Sequence, residues 1–258
     1  LVYCAKLKIQ HEATSVGDHT YRLHSLTANY PNGQGQQVVS CYAGDNFDDW
    51  WIVYPRDPPP AAGDPLWMTR VQDGDIVRLL HDNSVGDAPL RRPQGRFLHS
   101  HTQASHNPLR ADHYEVTCFP SGDWNEGDNG DNWRVKIDDG DAGAFRLQSL
   151  EYECYLHSES RPYEGYDYDF NRSVITLRDD QHPGHAFTEQ QVTCYHGADA
   201  DGDAVRPNLL WRVSKLQTAR FPGPIPQVAL TIQGVQGYMQ RQDEALAEVQ
   251  ARIGGGGG

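Results

Sequence analysis

No stretch of this 258-residue chain approaches the ~20 consecutive apolar residues that a membrane-crossing helix needs. The longest apolar runs are a few residues, as in 227–232, so no membrane span is expected. Positive charge is also scarce. Lysine and arginine number 22 against 35 aspartates and glutamates, for a net charge of −13. Nucleic acids and anionic membranes are held by basic faces, so neither is an expected partner. The acidity reads as solubility and as a bias against anionic ligands. Five cysteines, an odd number, cannot all pair within one chain. Neither a glycine-rich dinucleotide fingerprint nor a phosphate-cradling Walker motif is present. The run Asp199-Ala200-Asp201-Gly202-Asp203 has its glycine in the wrong place for a calcium loop, and no glutamate closes it. No signal peptide is visible and the first residue is Leu1, so a processed form is expected.

What the chain does have is a plan used three times. Leu23-His24-Ser25 leads to Val38-Val39-Ser40-Cys41. Leu98-His99-Ser100 leads to Glu115-Val116-Thr117-Cys118, and Leu156-His157-Ser158 leads to Gln191-Val192-Thr193-Cys194. A tryptophan follows each cysteine, as Trp51-Ile52-Val53, Trp133-Arg134-Val135 and Trp211-Arg212-Val213. A basic-apolar segment precedes each Leu-His-Ser: Lys8-Ile9-Gln10-His11, Arg78-Leu79-Leu80-His81 and Arg146-Leu147-Gln148-Ser149. Four short strands repeated three times predict a closed all-β body, since closure removes exposed strand edges. The repeats span about 7–54, 73–137 and 143–213, within one domain of residues 1–215.

The Leu-His-Ser motifs, the Gln-Gln-Val-Ser/Thr-Cys cadence, the ending Asp131-Asn132-Trp133-Arg134-Val135 and the opening Arg78-Leu79-Leu80-His81 resemble MIR domains. These are β-trefoils of protein O-mannosyltransferases, stromal cell-derived factor 2-like proteins, and inositol trisphosphate and ryanodine receptors. The resemblance covers roughly residues 5–215. It implies a β-trefoil of three MIR repeats, a lumenal or extracellular setting in the secretory pathway, and non-catalytic recognition of glycans or protein partners.

Adjacent strand residues point to opposite faces, so His24 and Ser25 cannot act together as base and nucleophile, and the same holds in the other repeats. No enzymatic activity and no cofactor is expected. His99 and His101 share a strand face, but no third ligand is spaced for a metal, so no metal site is expected. Cys41, Cys118 and Cys194 read as small buried core residues, and Trp51, Trp133 and Trp211 as core tryptophans. Cys4 and Cys154 lie outside the repeat pattern and form a candidate disulfide. Candidate ligand-binding residues are Trp124, Tyr163, Tyr166, Tyr168, His101 and His113. Trp124 sits in the acidic loop 121–131, where it either stacks on a ligand or lies on the domain's own surface. The three tyrosines belong to an insertion, residues 160–187, read as an acidic loop over a strand edge or as an adaptable binding surface. Asn171-Arg172-Ser173 is a possible N-glycosylation site.

Beyond the repeats, residues 216–235 form a proline-rich linker. Residues 236–253 are predicted to be an α-helix, and 254–258 a glycine tail. Val235, Met239, Gln242, Leu246, Val249 and Ile253 are spaced 4, 3, 4, 3, 4, a heptad seam with one polar interruption at Gln242. Such a helix docks or meets a partner, because alone it is marginal in water. Three functions remain open. The chain is a glycan- or protein-binding adaptor or co-chaperone-like module, or a structural subunit held through its helix. Alternatively it is the MIR portion of a protein O-mannosyltransferase.

Overall fold

Runs of alternating Val, Leu, Ile and polar residues, broken by glycine- and asparagine-rich turns, favour short strands over helices. The computed structural model describes residues 1–15, 20–30, 36–56, 66, 68–82, 96–102, 112–120, 128–140, 143–162, 166–169, 174–177, 189–197 and 206–218. Two units divide the chain, Leu1–Arg220 and Phe221–Gly258. The whole second unit, and with it the predicted helix, lies outside the described residues.

The first repeat supplies strands β1 (Ala5–His11), β2 (Tyr21–Asn29), β3 (Gln37–Ala43) and β4 (Trp50–Pro55). The second supplies β5 (Ile76–His81), β6 (Arg96–His101), β7 (His113–Pro120) and β8 (Trp133–Ile137). The third supplies β9 (Ala144–Ser149), β10 (Tyr155–Pro162), β13 (Gln190–Tyr195) and β14 (Trp211–Thr218), with an inserted pair β11 (Tyr166–Asp169) and β12 (Val174–Leu177). A 3₁₀ turn precedes each tryptophan strand, at Phe47–Asp49, Asn129–Asp131 and Arg206–Leu209.

Pairing closes the body. β1, β4, β5, β8, β9 and β14 join in a ring of six antiparallel pairs: β1–β4, β4–β5, β5–β8, β8–β9, β9–β14 and β14–β1. The hairpins β2–β3, β6–β7 and β10–β13 cap that barrel, and β3, β7 and β13 pair with one another in a triangle. A six-stranded barrel under three hairpins is the β-trefoil arrangement.

Register repeats to the residue. Leu23, Leu98 and Leu156 face Cys41, Cys118 and Cys194, and His24, His99 and His157 face Ser40, Thr117 and Thr193. Each tryptophan faces the last residue of the next repeat's opening motif: Trp51 faces His81, Trp133 faces Ser149, and Trp211 faces His11. The three indoles are fully buried. Each donates its Nε1–H to the carbonyl of the motif leucine, at 2.9 Å to Leu23, 2.9 Å to Leu98 and 3.1 Å to Leu156. These bonds tie each barrel strand to the cap hairpin of its own repeat. The cross-strand pairing ties it to the next repeat.

Three expectations change. First, Cys154 bonds to Cys194, not to Cys4, with their Cα atoms 5.3 Å apart. Cys154 directly precedes β10, and Leu156 of β10 faces Cys194 across the ladder, which brings the two sulfurs within disulfide reach. Cys4 instead lies buried at the start of β1, its amide donating to the Val53 carbonyl at 2.7 Å. Second, Cys194 is buried as expected but is disulfide-bonded, whereas its counterparts Cys41 and Cys118 keep their thiols. Burial pushes both thiols up to about 12, where they are inert. Third, the insertion holds a short antiparallel hairpin, Tyr166 facing Leu177 and Tyr168 facing Ile175, and is not wholly a loop. No helix among the described residues is long and apolar enough to cross a membrane.

Thiol counting checks the pairing. The five cysteines less the bonded two leave three. The native chain should therefore react slowly with a thiol reagent, show three thiols on unfolding and five only after reduction. Closing a loop of 40 residues constrains the unfolded chain, so Cys154→Ser should cost about 4 kcal/mol in urea unfolding.

Candidate functional site

The Leu-His-Ser motifs are turned inward. His24, His99 and His157 are buried and Ser25, Ser100 and Ser158 are sealed from solvent. Each ring and hydroxyl has its own partner. His24 Nδ1 is held by Asp49 Oδ1 at 2.9 Å, and His99 Nδ1 by Asp131 Oδ1 at 3.0 Å. Ser100 Oγ meets Ser149 Oγ at 2.7 Å, and Ser158 donates to the Gln191 carbonyl at 3.0 Å. These bonds satisfy buried polar groups, as a structural role requires.

The carboxylates come from the 3₁₀ turns, two residues before the tryptophan. Asn46 caps the first turn by accepting from the Asp48 amide at 2.9 Å, while Asp49 accepts from the Asn46 amide at 2.7 Å. Asp128 caps the second by accepting from the Gly130 amide at 2.8 Å. Gly130 is required there, because a β-carbon would lie 2.5 Å from His99 Cε1. The third repeat has Leu209 at the carboxylate position, and His157 Nδ1 turns to the Thr193 hydroxyl at 3.2 Å.

The first repeat buries a lysine among carboxylates. The Lys8 ammonium, 2% exposed, donates to Asp45, to the Asn46 carbonyl and to Asp49 Oδ2, the last at 3.0 Å. Burial opposes charge on His24, but Asp49, Glu189 and Asp48 together hold its pKa above the ordinary value. His11 and His81 go the other way. His11 Nε2 bonds the Asn208 carbonyl at 3.0 Å and His81 Nε2 the Asp48 carbonyl at 3.0 Å, each packed against a core indole. Burial lowers both rings to about 4, with the carbonyl bond opposing only in part.

Of the candidate binding residues, only His101 and His113 have side chains among the described residues. Trp124 and Tyr163 lie outside the described residues, as does Asn171. Tyr166 and Tyr168 sit on β11. His101 is mostly covered, its Nε2 3.4 Å from Glu115 Oε2. His113 is buried, bonded through Nδ1 to Thr193 Oγ1 at 2.7 Å and packed edge-on against His157 and Tyr195. Its alternating position on β7 turns it into the cap rather than outward.

A different aromatic group stands at the surface. Tyr114 of β7 stacks on His196 with ring centroids 4.2 Å apart and planes 23° apart, and Tyr152 meets Tyr114 edge-on at 5.5 Å. All three are half-buried, and Glu151 and Glu153 beside Tyr152 are exposed. The repeat register contains the signal for this group. Gln37, Gln190 and Tyr114 are equivalent, each facing a motif cysteine of another repeat, and only Tyr114 is aromatic.

No family model matches the chain. A stromal cell-derived factor 2-like protein of Arabidopsis thaliana is 31% identical over 172 residues, covering 64% of this chain and 67% of the relative. Dolichyl-phosphate-mannose–protein mannosyltransferase 2 of Candida albicans is 30% identical over 148 residues, covering 52% of this chain and 17% of the relative. Among solved structures, the SDF2-like protein from Arabidopsis thaliana matches with a TM-score of 0.55 at 23% identity, covering 86% of this chain and 98% of that one. That likeness shows the shared fold.

The buried rings set a pH dependence. His11 and His81 stay neutral in the folded state down to about 4, while an unfolded histidine protonates below ~6.5. The folded state therefore binds fewer protons in that window. Their contribution is fully present above pH 6.5 and is lost as pH falls toward 4, by up to about 3 kcal/mol per ring. His24 has the opposite sign, its contribution being lost as pH rises through its raised pKa. Urea midpoints should fall from pH 7 to pH 4.5, and less steeply in a His11→Gln/His81→Gln variant. Equal slopes in the two chains would mean that these rings are not the source.

Proposed function

Since this chain belongs to the MIR-domain family, among stromal cell-derived factor 2-like relatives, we propose that it is a non-catalytic recognition module. It binds glycans, or the glycoproteins that carry them, and works in the secretory pathway as an adaptor. One observation carries this reading. The motif serines and the histidines His24 and His157 are held by internal bonds, while an aromatic cluster of another kind, Tyr114, His196 and Tyr152, stays half-exposed beside two carboxylates. Aromatic faces take the apolar side of a sugar ring, and carboxylates take its hydroxyls. The Cys154–Cys194 disulfide supports an oxidising compartment.

A second reading rests on the mannosyltransferase. This chain matches only 17% of that relative, as a recognition segment of a larger enzyme would. In that case the chain serves a catalytic part lying elsewhere. The heptad seam from Val235 to Ile253 adds a candidate contact with a partner protein in either reading.

An array of N- and O-linked glycans tests the first reading. The chain should retain a subset of glycans, and Tyr152→Ala should weaken that retention at least tenfold with an unchanged thermal melt. Trp124→Ala is compared on the same array. Retention unaffected by Tyr152→Ala would return the stack to a packing role. No retention by the parent chain would favour protein partners over glycans.

A further inference from the structure

The three repeats treat the carboxylate behind their motif histidine differently. In the first, Asp49 is fully satisfied: Oδ1 holds His24, and Oδ2 accepts from the Asn46 amide at 2.7 Å and from the Lys8 ammonium at 3.0 Å. In the third, Leu209 removes the carboxylate altogether. The second repeat keeps the carboxylate but leaves one of its oxygens without a hydrogen bond. Asp131 is 1% exposed, its Oδ1 holds His99, and its Oδ2 is buried with no hydrogen-bond partner. The residue equivalent to Lys8 is Arg78, and Arg78 Nε donates at 2.9 Å to the Oδ1 of Asn132, one residue further on. A buried carboxylate oxygen without a donor is costly, and that cost is what a ligand would relieve.

The surroundings of Asp131 fit a metal ion. His99 Nδ1 lies 3.0 Å from Asp131 Oδ1 and 3.4 Å from Asp128 Oδ1, and the three groups offer donor atoms within 4.8 Å of one another. Bonds of about 2.0–2.2 Å, usual for zinc with nitrogen and carboxylate oxygen, give edges of about 3.3–3.6 Å in a tetrahedron and about 2.8–3.1 Å in an octahedron. Asp128 is 67% exposed, so the cluster opens to solvent on one side while its other two members are buried. Gly130 carries no side chain where a β-carbon would strike the His99 ring, which lets the imidazole sit against the turn that bears both aspartates.

We propose that His99, Asp128 and Asp131 form a divalent-cation site, in which the metal ion neutralises Asp131 as the Lys8 ammonium neutralises Asp49 in the first repeat. One imidazole and two carboxylates suit zinc or manganese better than calcium, which prefers an all-oxygen shell. On binding, the His99 ring moves its proton from Nδ1 to Nε2, so that the Nδ1 lone pair faces the ion. The positions left by three protein ligands go to water or to an oxygen of a bound partner.

Calorimetric titration of the chelator-treated full chain with zinc, and separately with manganese, tests this. The expected result is uptake in which one equivalent is weakened at least tenfold by Asp128→Asn and lost in Asp131→Asn. The ion should also raise the melting temperature of the parent chain and leave that of Asp128→Asn unmoved. Asp128 is exposed, and the amide oxygen of asparagine can still accept from the Gly130 amide. Asp128→Asn therefore decides the matter alone if Asp131→Asn does not fold. No uptake of either ion by the parent chain, or the same uptake by a folded variant, overturns the proposal.

Discussion

Three indole N–H groups, each sealed in the core and each aimed at a leucine carbonyl, hold this molecule together. The leucine is the first residue of Leu-His-Ser, and the tryptophan opens the last strand of the same repeat. In a water-free interior an unanswered indole donor or carbonyl would cost a kilocalorie or more, about 1–3 kcal/mol. Barrel strand and cap hairpin are therefore placed relative to each other by one short bond. The same tryptophans face His81, Ser149 and His11 of the following repeat, so the contact that completes one repeat also joins it to the next. No repeat can bury its tryptophan alone, which is why the unit occurs three times and closes.

Within that symmetric frame the repeats have diverged in charge. The first buries a lysine against Asp45 and Asp49, the second leaves Asp131 Oδ2 without a hydrogen bond, and the third replaces the carboxylate by Leu209. The fold tolerates all three because the tryptophan bond, not the histidine–carboxylate pair, sets the backbone. The repeats also differ at the cap, where Tyr114 stands in place of a buried glutamine.

Much of the architecture was legible in the sequence because the repeat is strict. Leu-His-Ser, Val-Ser/Thr-Cys and Trp-x-Val mark the same strands in every copy, and the buried tryptophans follow from their place in the plan. The site was less legible for the same reason. His113 is a polar residue in a loop-flanked segment and looks surface-borne, yet strand alternation turns it into the cap. The disulfide was misassigned because Cys194 belongs to the repeat pattern, and its equivalents Cys41 and Cys118 are thiols. Only the ladder shows that Cys154 reaches it. The Tyr114–His196–Tyr152 cluster draws on three separate segments, so no spacing in the sequence announces it. An alignment of the three copies against one another would have marked Tyr114 and Leu209 as the departures.

Site-resolved hydrogen exchange of the tryptophan indole N–H groups tests the central claim most directly. The chain has six tryptophans, of which Trp51, Trp133 and Trp211 make the buried bonds. These three indole protons should persist in deuterated buffer together, at the rate set by global unfolding. If any of the three exchanges like an exposed indole while the fold is intact, the clamp is absent in that repeat. The threefold closure described here would then be contradicted.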